Sequence, residues 1–203
     1  MGDLLEAADA ASARFLLGIT GPPGAGKSTL GSAVAAVVAD QRGPGFAVVA
    51  PLDGFHLSNE RLERGGLLAV KGAPETFDAE AFVRALRRAR EEPGATLYWP
   101  DFDRAAEQIV PGAIALGPKT KLVITEGNYL LLEQQWWREI HRLLDQVWYV
   151  DAPRDVLRRR LIARQLAGGR SEDQAVRHVD ESDLRNAELV ARTRDLADLL
   201  VCT

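Results

Sequence analysis

Nine residues near the N-terminus, Gly21-Pro22-Pro23-Gly24-Ala25-Gly26-Lys27-Ser28-Thr29, have the types and the spacing that bind a triphosphate. They fit the pattern GxxxxGK[ST]. Its glycines let successive backbone N–H groups turn inward around phosphates, and a helix that follows adds unpaired donors and a partial positive charge. Lys27 reaches the outer phosphates, and the Ser28 hydroxyl can hold Mg²⁺. Two carboxylates extend the set. Asp53, in Asp53-Gly54-Phe55-His56, is the candidate general base, because phosphoryl transfer to a hydroxyl needs a group that orients the hydroxyl and takes its proton. Glu126, in Glu126-Gly127-Asn128-Tyr129, can hold Mg²⁺ or contact the acceptor, and Asn128 is a candidate acceptor contact beside it.

A basic set lies further on. Residues 154–170 hold six arginines, Arg154, Arg158, Arg159, Arg160, Arg164 and Arg170, against one acid, Asp155, in a chain of net charge −4. On a helix Arg160 and Arg164 share a side. With Arg170 they read as a lid, approximately 153–170, that closes on the triphosphate and neutralises charge on the moving phosphoryl group. Arg164 is the candidate catalytic contact, and Arg160 and Arg170 are candidates for nucleotide binding. Arg158 and Arg159 read as a solvated face. His56, Lys71, Tyr98 and Arg104 are candidate acceptor contacts in the loops after Asp53 and after an apolar run at 95–99.

The elements that must position these residues follow from apolar patterning. Runs at 14–20, 46–52, 121–125, 146–151 and 196–201 read as strands, most of them apolar throughout. A short helix over 3–13 leads into the first strand. The P-loop helix runs to about Asp40. Asp78 caps a helix to about Arg90, Trp136 to Leu144 lie on another, and Pro153 starts the arginine-rich one. Ser171 caps a last helix towards Val190. Trp136 and Trp137 cannot both face inward, so one covers a surface or an interface. Residues 57–77 read as a long irregular loop, and 95–116 as short strands around a polar turn at Asp101-Phe102-Asp103-Arg104. Alternating strands and helices imply an α/β fold with a parallel sheet covered on both faces. Ligands then bind at the carboxyl ends of the strands, where the P-loop, Asp53 and Glu126 all fall.

Composition sets the outer bounds. A length of 203 residues, 46% of them hydrophobic, suits one domain over 1–203. The acidic balance speaks against nucleic acid as a partner, and the chain has neither a signal peptide nor an apolar run that would span a membrane. The single cysteine, Cys202, suits a reducing cytoplasm. A homodimer is compatible with this reading.

Four blocks, the P-loop, Asp53-Gly54-Phe55-His56, Lys71-Gly72-Ala73-Pro74-Glu75-Thr76-Phe77-Asp78 and Glu126-Gly127-Asn128-Tyr129-Leu130, together resemble the P-loop kinase group that contains uridine kinase, phosphoribulokinase and type I pantothenate kinase. The second and third blocks resemble its pantothenate kinase side. The last block and the lid resemble bacterial proteins called nucleoside kinase-like or fructose transport system kinases. The resemblance spans roughly residues 15–201. It implies the three-layer P-loop NTPase fold with five parallel strands and a helical lid, Mg-ATP as phosphoryl donor, Asp53 as base, and Lys71, Tyr98 and Arg104 near the acceptor. Where uridine kinase reads DSF this chain reads DGF, which counts against uridine.

The expected activity is therefore ATP-dependent phosphorylation of a hydroxyl on a small metabolite: a sugar, a nucleoside, pantothenate or a small hydroxy acid. Two alternatives remain open. A nucleoside monophosphate kinase needs no general base, which Asp53 argues against. A regulatory or assembly NTPase would have no acceptor, and the loops at 53–77 and 98–104 argue instead for a bound small molecule.

Overall fold

The computed structural model of the chain describes residues 1–104 and 106–203. Its centre is a five-stranded parallel sheet in the order β2-β5-β1-β6-β7. The strands are β1 (Phe15–Thr20), β2 (Ala47–Val49), β5 (Leu122–Glu126), β6 (Gln146–Asp151) and β7 (Leu199–Cys202). Strands β3 (Leu97–Asp103) and β4 (Gln108–Leu116) form a separate antiparallel hairpin. The helices are α1 (Gly2–Ala10), α2 (Lys27–Arg42), α3 (Asn59–Arg64), α4 (Ala79–Glu91), α5 (Gln135–Leu143), α6 (Arg154–Ala167), α7 (Glu172–His178) and α8 (Leu184–Ala191).

Alternation along the central strands divides the core in two. Leu16 and Val123 point to a layer built from α4, α5 and the hairpin, with Phe82, Leu86, Trp99, Tyr129 and Ile140. Leu17, Ile19, Leu122 and Ile124 point the other way, towards Leu5 of α1, Val34 and Val38 of α2, Leu157 and Leu161 of α6, and Leu184 of α8. Both faces are covered, which is why the strands are mostly apolar, with their polar residues concentrated at the ends. This is the expected α/β three-layer fold.

Several boundaries differ from the expected ones. Strand β2 stops at Val49 and is only half-buried, because it is the sheet edge. Ala50 and Leu52 still donate to Ile124 O and Glu126 O, but Pro51 between them has no N–H. Residues 57–77 are not a featureless loop. Ser58 caps α3, and short 3₁₀ turns occupy Leu68–Val70 and Pro74–Thr76. The buried Thr76 hydroxyl donates to Ala73 O at 2.7 Å and accepts from Gly72 N at 3.0 Å. Tyr129 Oη donates to Gly72 O at 2.5 Å and so ties this segment to the end of β5. The polar turn expected at 101–104 lies later, since β3 continues through Phe102↔Ile109 to Asp103↔Gln108. Between α7 and α8 one π-helical turn, Val179–Asp183, interrupts the expected single helix.

A buried arginine joins these parts. Arg14 is 1% exposed. Its guanidinium donates to the carbonyls of Ala89 and Glu92 at the end of α4, to Ala95, to Leu116 and Gly117 at the end of the hairpin, and to Thr120 before β5. Burial lowers its pKa, opposed by the charge of Glu92. Six carbonyls replace the water lost on burial, which the cost of an unsatisfied buried charge requires.

Candidate active site

The sheet register brings the P-loop and Glu126 together. Ile19, next to last in β1, pairs with Glu126, the last residue of β5. The chain leaves β1 through Gly21 at φ 144°, where a Cβ would lie 2.3 Å from Val150 O, so only glycine fits. Lys27 opens α2 and is 8% exposed. Its Nζ donates to Pro22 O at 2.9 Å, inside the loop's curve. Burial pushes its pKa down to about 8, against the attraction of Glu126 and Asp53. Glu126, 7% exposed, accepts from Ser28 Oγ at 2.7 Å. Burial pushes its carboxyl upward, against Lys27.

Ser28 and Glu126 are a hard-oxygen pair at the mouth of the loop. Mg²⁺ takes one or two such side chains and completes its shell with phosphate oxygens and water, so the pair fits that ion. Among the described residues no three His, Cys, Asp or Glu side chains cluster into an all-protein metal site.

Asp53 begins a 3₁₀ turn, Asp53–Phe55, beyond the end of β2. Its Oδ2 is ion-paired with Arg104 Nη2 from the hairpin. Gly54 explains how the hairpin comes so close. A Cβ there would lie 2.2 Å from Pro100 O and 2.9 Å from Asp101 N, both backbone atoms that cannot swing away. The DG sequence is therefore the condition for seating β3 on the turn. Trp99 completes the seat, its Nε1 donating to Pro51 O at 2.9 Å and its ring meeting Phe55 edge-on at 5.2 Å. His56 Nδ1 is 2.8 Å from Asp53 O, and its ring lies 4.0 Å from Phe77 and 5.0 Å from Phe102. Burial lowers the His56 pKa, with Asp53 opposing. Lys71 Nζ meets Asn59 Oδ1 at 2.8 Å and Glu107 Oε2 at 3.4 Å, 5.2 Å from the centre of the Phe102 ring.

Helix α6 lies against the outside of the P-loop. A Cβ on Gly24 would meet Leu161 at 3.1 Å. Arg160 Nη1 donates to Gly24 O at 3.3 Å and to Thr203 Oγ1 at 3.2 Å, and Thr203 Oγ1 donates to Ala25 O at 3.0 Å. Arg164 keeps a solvent-exposed face and makes no hydrogen bond or ion pair among the described residues. Its pKa is lowered by burial first, then by Arg104, with Asp53, Asp183 and Glu126 opposing. Arg158 pairs with Asp180 and Arg159 with Asp155, both at the surface.

The structure thus brings Lys27, Ser28, Asp53, Arg104, Glu126 and Arg164 close together beyond the carboxyl ends of β1, β2 and β5, with His56 and Lys71 on the hairpin side. Asn128 follows at the end of β5, its carbonyl accepting from Thr20 Oγ1 at 3.1 Å. Thr29 is exposed on the first turn of α2. Two residues are set apart. Tyr98 alternates with Trp99, is 72% exposed and lies beside Gly112 on the outer face of the hairpin. Arg170 lines a surface hollow of about 370 Å³ with Gln174, Arg177, His178 and Glu181. Phe102, which forms the aromatic wall beside His56, and Asp183, which faces Arg164, were not singled out by the sequence.

The chain matches no protein-family model. It is 34% identical over 194 residues to a uridine kinase-like protein of Schizosaccharomyces pombe, covering 93% of this chain and 83% of that one. It is 31% identical over 144 residues to the pantothenate kinase of Lacticaseibacillus casei, covering 70% of this chain and 46% of that one. Among solved structures, a candidate fructose transport system kinase from Silicibacter sp. TM1040 superposes with a TM-score of 0.90 at 39% identity, over 98% of this chain and 95% of that one.

Proposed function

Because the chain belongs to the P-loop kinase group that contains uridine kinase and pantothenate kinase, we propose that it transfers the γ-phosphoryl group of Mg-ATP to a hydroxyl of a small metabolite. The observation that supports this reading is the carboxylate of Asp53 close enough to couple with both the P-loop lysine and Arg164, which has no hydrogen bond or ion pair among the described residues.

In this reading the P-loop N–H groups and Lys27 hold the β- and γ-phosphates. Ser28 and Glu126 hold Mg²⁺, which would neutralise charge on the phosphates when bound. Asp53 accepts the proton of the acceptor hydroxyl. The acceptor oxygen forms its bond to the γ-phosphorus as the bond to the β–γ bridging oxygen breaks, and ADP leaves with that electron pair. Arg164 meets the charge on the transferring group. Helix α6 acts as the lid that excludes water. The single domain spans 1–203.

The test is ADP release with Mg-ATP against a panel of sugars, nucleosides, pantothenate and hydroxy acids, with Asp53→Asn alongside. An acceptor that stimulates ADP release in the wild type, with a loss of about 10²- to 10⁴-fold in the variant, supports the reading. ADP release that is independent of acceptor and equal in the variant overturns it in favour of an NTPase.

A further inference from the structure

Three cations reach the crevice around Asp53, and a bound triphosphate accounts for two. Lys27 comes from the P-loop and Arg164 from α6. Arg104 comes from the opposite side, on the hairpin, together with the acceptor-side residues His56 and Lys71. Its use there is not exhausted by Asp53. Only Nη2 of Arg104 meets Asp53, and only through Oδ2. The remaining donors of the guanidinium have no partner among the described residues, and the side chain is 53% exposed at the crevice. Asp53 Oδ1 likewise has no partner among the described residues and stays available to a hydroxyl.

A guanidinium is a rigid fork of five donors that pairs best with two oxygens at once. Here the fork is pinned by one tine beside the proton acceptor, and its other donors have no partner among the described residues. The neighbouring surface offers one more cation, Lys71, held over Phe102 and paired with Glu107 at 3.4 Å, while Asp101 and Asp103 of β3 precede Arg104. The His56 ring lies beside Phe77 and Phe102. Lys71 and Arg104 each have one carboxylate, Glu107 and Asp53, and a neutral sugar or nucleoside would leave the remaining donors of Arg104 without an anionic partner. Resting on the kinase reading above, we infer that the acceptor is an anionic hydroxyl compound, with a carboxylate or phosphate near the reacting hydroxyl, and that Arg104 recognises that charge with the donors Asp53 leaves over.

Arg104 is thus a specificity-determining residue. It couples the group that marks the substrate to the group that takes its proton. Gly54 serves the same purpose from below, since the close approach of Pro100 to Gly54 is what delivers Arg104 to Asp53.

The experiment has two arms. In the first, the protein is loaded with the magnesium complex of a non-hydrolysable ATP analogue, so that Lys27 and Arg164 are occupied. Binding of inorganic phosphate and of glycerate is then measured by calorimetry, with glycerol as the neutral control. The wild type is expected to bind one or both anions and not glycerol, and Arg104→Met to weaken that binding about tenfold to a hundredfold. Phosphate alone binding would mark a phosphorylated acceptor, and glycerate alone a hydroxy acid. No anion binding to the loaded wild type, or binding unchanged in Arg104→Met, overturns the inference. In the second arm, ADP release is compared within matched pairs: glycerate and glycerol, sugar phosphate and sugar, pantothenate and its alcohol. A charged member used at least tenfold better, with that margin lost in Arg104→Met mainly through KM, supports the inference. A neutral member used as well overturns it. Failure of the analogue to bind at all would instead count against the kinase reading, which separates the two failures.

Discussion

Replacing Lys27 by methionine should stabilise the nucleotide-free protein while abolishing its response to nucleotide. The lysine is nearly fully buried, and its pKa falls from the ordinary 10.5 to about 8. At about 1.4 kcal/mol per pH unit, keeping it charged at pH 7 costs the empty fold about 3 kcal/mol relative to a neutral side chain. Methionine removes that cost and gives up the bond to Pro22 O, about 1 kcal/mol. The net gain is about 2 kcal/mol, or about 4–8 °C in Tm for a chain of this size. The pH dependence has a definite sign. Between about 8 and 10.5 the unfolded wild type binds more protons than the folded one, so wild-type stability rises with pH and the advantage of Lys27→Met closes there. Mg-ATP reverses the order, because the triphosphate supplies the missing counter-charge and stabilises only the wild type. Thermal unfolding at pH 7 and pH 10, with and without Mg-ATP, measures all of this. A variant that is less stable than wild type when empty, or that still gains from Mg-ATP as the wild type does, refutes the reasoning.

Arg14→Met should cost about 3 kcal/mol or more, since it removes a donor from six carbonyls in separate segments, of which Glu92 O and Gly117 O still accept from Ala95 N and Thr120 N; urea unfolding reads this, and a loss below 1 kcal/mol would remove Arg14 as the joint. Gly54→Ser should lower turnover about a hundredfold by lifting the hairpin off the Asp53 turn, with ATP-analogue affinity kept; normal turnover would show that the close approach is not needed. Arg164→Met should reduce kcat about 10²- to 10³-fold with folding intact, as judged by circular dichroism and steady-state kinetics, and an unchanged kcat would take Arg164 out of the phosphoryl path.

What the sequence disclosed, it disclosed for local reasons. The P-loop is contiguous, and its glycines are demanded by backbone geometry within a few residues. Asp53 and Glu126 were legible because each closes an apolar run, and in a parallel sheet the ends of such runs converge. The fold class followed from the same runs. Arg104 was legible only as a polar loop residue, because its place on Asp53 depends on a hairpin seated over Gly54, a contact between distant segments. Arg14 gave no signal at all, since its six acceptors are backbone carbonyls from several parts of the chain. Tyr98 and Trp99 are neighbours of similar type, and only strand pairing decides that Trp99 turns to the core and Tyr98 to solvent. The Phe102 wall was missed because Asp101 to Arg104 looked like a turn, whereas its pairing with Ile109 carries the strand further.

The central claim is transfer of the γ-phosphoryl group to an acceptor hydroxyl rather than to water. Turnover of Mg-ATP in ¹⁸O-labelled water, with a pool of hydroxyl acceptors and mass analysis of the products, tests it directly. Transfer to a hydroxyl gives a phosphorylated acceptor free of ¹⁸O in its new phosphoryl group, and little labelled inorganic phosphate. Release of the γ-phosphate only as labelled inorganic phosphate, at the same rate with and without acceptors, would contradict it.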